Sequence, residues 1–357
     1  MPTNPVWPFT PQPNKPSINE GDYIATYANP VWSMEEGSNT PITPIHNPCG
    51  YWTKAYVPPP PPSPPEVSSI LYVYIWYGEG GADEYRINSY NTLTGEYIGT
   101  FVVPELRDWN NVMAVDKDLN VYCVGSAHNF LRCYNKSGIL LYELDIGEAN
   151  SQWFYSVCVD ADGYVYTLES RAEWGEFDQR IVKRNPGDPA IIETKQPWLY
   201  GGQGLIMDSN KYVYVGGCIA NMDIVKYDYE GADPMPIVAQ STTIESYQRT
   251  LAFLDGYLAI GNRGDSRIKT AKSDLSAYIN ENFIIPNMDG PLIHGYPWGI
   301  SNVGTDFLAC GYSAGLVNAI VGRYSSIDGS AIWETIIGSG DDISPYQVAA
   351  FPFESIT

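Results

Sequence analysis

The sequence predicts an all-β fold: six four-stranded units closed by a C-terminal strand into a six-bladed β-propeller, preceded by an extended Pro-rich N-terminal arm. Three observations predict it. After Val67, short β-branched and aromatic runs alternate with turn signals roughly every 8–12 residues. A four-strand unit repeats along that part of the chain. Finally, 17 of the 28 prolines crowd into the first 65 residues, where no sheet core can be built.

The arm comes first. Proline donates no backbone hydrogen bond and fixes φ, so residues 1–66 cannot form a sheet core or a long helix. Residues 1–57 are expected to be an extended docking arm. The run "PPPPPSPP" that follows makes 58–66 a polyproline II spacer of roughly 25 Å. The arm nevertheless carries Trp7, Phe9, Trp32, Tyr51 and Trp52, and it writes "NPVW" twice, at 4–7 and 29–32. Asn-Pro sets an extended or turned entry, and Val-Trp supplies an anchor of the kind that dominates interface energies. Two copies point to two similar docking sites on a repetitive partner. The alternative is coincidence, each Trp lying against its own propeller.

Residues 67–357 are expected to form the propeller. The stretch 110–146 aligns with 154–194, with 201–240, and more weakly with 249–284 and 297–337. Anchoring on the start of each second strand gives Leu71, Val121, Val165, Val213, Leu258 and Leu308, with steps of 50, 44, 48, 45 and 50 residues. That length suits a four-stranded blade. Between first and second strands, "DADG" (160–163), "DSN" (208–210) and "DG" (255–256) supply acceptors for turn N–H groups. "DKDLN" (116–120) mimics the first ligands of a calcium loop, but Val121 and Ala127 stand where glycine and glutamate are required. The first unit lacks an inner strand because prolines precede it, and "SPYQVAAF" (344–351) resembles the inner strands of other units. It is expected to close the ring and remove its free edges.

"GLIMDSNKYVYVGG" (204–217), "VMAVDKDLNVYCVGSAHNFLRCYNKSG" (112–138) and "PWGISNV" (297–303) resemble the NHL/YVTN-type repeats of β-propellers. The resemblance spans roughly 68–351, implies the fold, and leaves function open.

Charge excludes some functions. Forty-one acidic against 20 basic side chains give a net charge of −21, which disfavours nucleic acid and anionic membranes. "MPTNPVWPFT" has neither a basic nor an apolar targeting region. Six cysteines form no CxxC, and a small buried thiol is the expectation for most of them. A hairpin centred on His128 would set Cys123 opposite Cys133, within reach of a disulfide if the geometry is not strained.

No catalytic constellation stands out. His46 lies in the arm, the two remaining histidines, His128 and His294, on non-adjacent blades, fall short of a zinc triad, and no cofactor is expected. Calcium remains open at the acidic segments 79–84 and 338–345. Aromatic residues entering the blades give a stronger signal. Trp109, Trp153 and Tyr296 stand twelve positions before their anchors; Tyr200, Tyr247, Trp298 and Tyr346 lie near equivalent places. They are expected either to ring one mouth of the channel, where aromatic faces and carboxylates suit a glycan, or to wedge between blades.

Three functional expectations follow. The first is a non-enzymatic protein docked by its arm onto a larger assembly, resembling in architecture a bacteriophage virion component of the head, tail or fibre, assembled in a host cytoplasm. The second is a lectin-like propeller, and the third a metal-dependent hydrolase or lyase. A cytoplasmic location is the alternative to the virion.

Overall fold

The computed structural model divides after Glu66 into two units, 1–66 and 67–357. It describes the backbone of 24–26 and 51–53 and, in the second unit, residues 70–78, 84–106, 112–125, 129–145, 153–170, 178–197, 202, 204–217, 224–241, 248–254, 256–262, 267–284, 299–312, 318–339 and 343–351, a few strand ends by backbone alone. In the first unit, Ile24–Thr26 pairs antiparallel with Tyr51–Thr53. The side chains of Trp7, Phe9, Trp32, Tyr51 and Trp52, and the spacer, lie outside the described residues.

The second unit is six four-stranded antiparallel sheets, each ordered from an inner to an outer strand. Blade 2 takes Met113–Val115, Val121–Val124, Phe130–Tyr134 and Leu140–Asp145; blade 3 takes Trp153–Val159, Val165–Ser170, Gln179–Arg184 and Ile191–Lys195. Blade 4 is Gly204–Met207, Tyr212–Gly216, Val225–Asp228 and Ile237–Gln240; blade 5 is Gln248–Leu254, Tyr257–Asn262, Arg267–Lys272 and Tyr278–Ile284. Blade 6 is Gly299–Val303, Asp306–Tyr312, Asn318–Tyr324 and Ala331–Ser339. Blade 1 joins the two ends of the domain: Ile343–Ala349 is its inner strand, paired from Ile343↔Tyr77 to Ala349↔Tyr72, ahead of Ile70–Tyr77, Glu84–Asn91 and Tyr97–Val103. The expected six-bladed closure is therefore the observed one.

Second strands are buried on both faces, which is why "VYCV" and "VYTLES" read as near-continuous runs. Outer strands alternate instead, as in "LLYELD". Every outer strand also carries a β-bulge at its second residue. Ile98, Leu141, Ile192, Val238, Ile279 and Ile332 are each skipped in the pairing to the third strand. All six are aliphatic and 46–55 % exposed.

Aspartates at the inner turns organise one end of the barrel of blades. Asp116 Oδ1 accepts from the N–H of Asp118 and Asn120, and its Oδ2 accepts from Tyr122 Oη at 2.8 Å. Asp160 and Asp208 repeat the pattern with Tyr166 (2.9 Å) and Tyr214 (3.1 Å). All three carboxylates are buried, so the turn role expected from the sequence holds and none of their Oδ1 atoms is idle. The same tyrosines reach the next blade. Tyr122 Oη accepts from Gly187 N–H, and Tyr214 Oη meets the Ser273 carbonyl at 3.0 Å. Lys211 crosses from blade 4 to Asp160 and Asp162 of blade 3, 2.6 Å from each.

The seam between blades 6 and 1 uses other groups. Trp333 Nε1 donates to the Thr92 carbonyl at 2.8 Å, and Thr335 Oγ1 to that of Gly95 at 3.0 Å. Gly299 lies so close to the closing strand that a Cβ there would sit 2.5 Å from Gln347 Cα and Val348 N. Only glycine fits that approach.

Two expectations of register are corrected. Cys123 pairs with Arg132, and Tyr122 with Cys133, so Cys123 and Cys133 are not opposite each other and the register is one residue off the expected one. One residue of slip moves a side chain to the other face of a strand. Cys123, Cys133, Cys158 and Cys310 are accordingly buried free thiols. In blade 6 the second-strand anchor is Phe307, not Leu308. Phe307 pairs with Asn302 and packs toward blade 5, as Leu258 and Val165 pack toward their preceding blades, whereas Leu308 faces blade 1. The twelve-residue spacing of Tyr296 does not survive this shift.

Candidate functional site: the central channel

The six inner strands enclose a cavity of about 430 Å³. Two rings of equivalent residues line it. The ring nearer the inner turns is Val115, Val159, Met207, Phe253, Asn302 and Ala350. The next ring is Ala114, Cys158, Ile206, Ala252, Ser301 and Ala349. Small side chains dominate that second ring, and this is why the strands leave a void and not a packed axis. The cavity reaches the end of the barrel that carries the inner turns, where Asp208, Ser209, Gly304 and Thr305 border it.

Its walls differ by side. Blades 2 to 5 contribute aliphatic, aromatic and sulfur-containing side chains from their inner strands. Blades 6 and 1 contribute Ser301, Asn302 and Gln347. Ser301 Oγ accepts from the Ala350 N–H at 3.4 Å, and Gln347 Nε2 donates to the Val348 carbonyl at 3.2 Å. Asn302 is 5 % exposed, and its side-chain amide has no hydrogen-bond partner among the described residues. Asp208 is the one carboxylate in the described lining, already engaged by turn N–H groups and Tyr214. Cys158 is the one thiol there, and burial raises its pKa well above the usual range, followed by the nearby charge of Asp160. A protonated buried thiol is a weak nucleophile.

Of the seven aromatics predicted from the sequence to ring one mouth, two fall among the described residues, Trp153 and Tyr346. Trp109, Tyr200, Tyr247, Tyr296 and Trp298 lie outside the described residues, as do His46, His128 and His294. Trp153 starts the inner strand of blade 3, opposite Ser170, and is half-buried. Tyr346 is placed inside the closing strand and not ahead of it, at a bulge between Pro345 and Gln347. The equivalent bulge in blade 3 holds Tyr155, so Tyr346 sits two positions deeper than Trp153. Its ring lies 5.8 Å from that of Tyr74, which stacks on Tyr85 at 5.9 Å, among the packing shared by blades 1 and 2.

Of the acidic segments considered for calcium, residues 79–83 and 340–342 are outside the described residues, and Glu84 pairs with Arg86. Among the described residues no three His, Cys, Asp or Glu side chains gather as metal ligands would. No helix among them is long and apolar enough to cross a membrane.

Asn302 and Ser301 were not singled out from the sequence. The signal was present: written in register, the ring positions read Ala-Val, Cys-Val, Ile-Met, Ala-Phe, Ser-Asn and Ala-Ala, and only blade 6 is polar at both.

Neither the family models nor the curated proteins yield a match to this chain. Among solved structures, a protein of unknown function from Bacteroides caccae is similar over 78 % of this chain and 99 % of its own, with a TM-score of 0.55 and 11 % identity. That likeness shows the fold alone. A chain of the Mitotic Checkpoint Complex is similar over 65 % of this chain and 68 % of its own, at a TM-score of 0.44 and 12 % identity, too distant to carry an argument.

Proposed function

We propose that this chain is a non-enzymatic binding protein whose N-terminal arm docks onto a larger assembly and whose propeller is thereby displayed. The observation that carries the reading is the repeated "NPVW" in a proline-crowded leader ahead of a closed ring. Such a leader has little apolar surface of its own against which to bury tryptophan, so a repeated anchor finds its use on a partner. The repeats are those of an NHL/YVTN-like propeller. The assembly we favour is a bacteriophage virion, in head decoration or in a tail or fibre, by analogy of architecture.

Protease mapping tests this reading. Cleavage of the free full-length chain is expected within residues 1–66, and the same sites should be protected in the native particle. Incorporation should fail for the Trp7→Ala/Trp32→Ala double variant. Equal cleavage in both states, or normal incorporation of the variant, would sink the docking role.

A second reading, glycan binding at the mouth, draws on half-buried Trp153 at the entry of an inner strand. A full-length Trp109→Ala/Trp153→Ala variant that melts normally but no longer binds a glycan array favours it. A large loss of stability favours packing.

A further inference from the structure

We propose that the turn-end half of the channel is a binding site for a small neutral ligand, with an apolar body and one amide-like hydrogen-bonding edge. This goes beyond the docking reading and is independent of it.

The argument begins with Asn302. In the other five blades its ring position is held by Val, Val, Met, Phe and Ala, and no neighbour among the described residues satisfies its amide. A buried amide without a partner is costly, and it persists where something outside the chain, water or ligand, completes it. The residue is 95 % out of solvent, yet none of its atoms is sealed without a partner, so the amide opens onto the cavity. A carboxamide offers one acceptor and two donors side by side, which suits a ligand edge carrying both a carbonyl and an N–H.

The remaining walls define the rest of the ligand. Ile206 and Phe253 face the cavity as partly exposed apolar side chains across from the polar seam. A volume of about 430 Å³ lies within the range of small-molecule pockets, and an apolar wall with a few convergent polar groups is their usual composition. Charge selects further. Among the described lining residues none is cationic, while Asp208 borders the mouth, so an anionic ligand would lose its hydration without gaining a counter-ion from them.

The test is ligand-observed fluorine NMR on the full chain with three probes: 4-fluorobenzamide, 4-fluorotoluene and 4-fluorobenzoate. The benzamide is expected to bind, the toluene more weakly, and the benzoate not at all. Asn302→Leu should weaken the benzamide roughly tenfold or more while changing the toluene less than about twofold, the size of one lost hydrogen bond. Asn302→Ser, which leaves room for a water, gives the same comparison if the leucine variant does not fold. Ile206→Trp, which fills the cavity, should abolish binding of both neutral probes and thereby locate them. The proposal is overturned if the native chain binds none of the probes, if benzoate rivals benzamide, or if replacing Asn302 leaves benzamide binding unchanged.

Discussion

The two ends of the propeller are built by different rules. At the turn end, inner and outer connections run from two residues, between Leu254 and Tyr257, to eight, between Asp228 and Ile237. Asx side chains set nearly all the described ones: Asn91, Asp116, Asn135, Asp160, Asp188, Asp208, Asp228, Asp274 and Asp328 each accept from an N–H two residues on. At the loop end, connections run from three residues, between Ser339 and Ile343, to fourteen, between Ile284 and Gly299. Local chemistry thus fixes one end and leaves the other free to vary, which is the usual division between scaffold and recognition surface. The cavity, with Asn302 on its wall, belongs to the first end, and half-buried Trp153 to the second.

The largest break in this contrast is removal of the closing strand. A chain lacking 344–357 leaves Ile70–Tyr77 with an open edge between two ends, and cooperative melting by calorimetry is expected to disappear. A truncated chain that still melts sharply would refute the closure as the source of cooperativity.

Next in size is the ion pair that ties the two ends of blade 3. Arg184 and Glu169 are fully buried, Nη2 to Oε1 at 2.8 Å, with Thr167 Oγ1 and the Pro189 carbonyl completing the guanidinium. Glu169→Gln or Arg184→Met should each cost about 3–5 kcal/mol in urea denaturation, because each strands a buried charge. The double variant Glu169→Leu/Arg184→Met should recover most of that.

Within the turn end, Asp160→Ala should cost about 3 kcal/mol, since it strips two turn N–H groups, Tyr166 Oη and Lys211 of a partner. Asp328→Ala, in an exposed outer turn, should leave the urea midpoint almost unchanged. Equal losses would refute the idea that burial ranks these turns.

Buried thiols give a smaller effect, read through pH. Burial pushes the Cys133 pKa up to about 12 and raises Cys123, Cys158 and Cys310 as well. A raised folded pKa means stability that is complete below the unfolded thiol's value, roughly 8.5, and is lost as pH climbs toward the folded one. Denaturation midpoints should therefore fall above about pH 9. None of these four thiols should react with a disulfide reagent in the native chain at pH 8.

The smallest effect belongs to Asp162, whose pKa is lowered by its hydrogen bond to Lys211. A depressed carboxylate stabilises above its unfolded pKa and loses that contribution as pH falls through the folded value. Asp162→Asn should flatten the acid limb of the stability profile only slightly, and added salt should hide the difference.

Legibility in the sequence followed the same line as the two ends. Blade number and the aspartate turns could be read because each depends on a repeat or on neighbours close in sequence, and the closing strand because it resembles the inner strands of the other units while prolines leave the first unit without one. Hairpin register could not: "CVGSAHNFLRC" fits two pairings one residue apart, and only packing against other blades chooses. The buried pair was hidden for a related reason, since Arg184 meets Glu169 across the length of two strands. Asn302 looked like one more polar residue near a turn until the ring gave it five apolar counterparts.

The notched outer strands have a consequence for crowding. A straight rim would offer each blade's last row of donors and acceptors as a ready template for another molecule's strand, and six such rims would invite knitting into sheets. The extra aliphatic residue near the start of every rim, from Ile98 round to Ile332, breaks that row at a common level. Many copies can then stand shoulder to shoulder on one surface, each remaining a separate wheel.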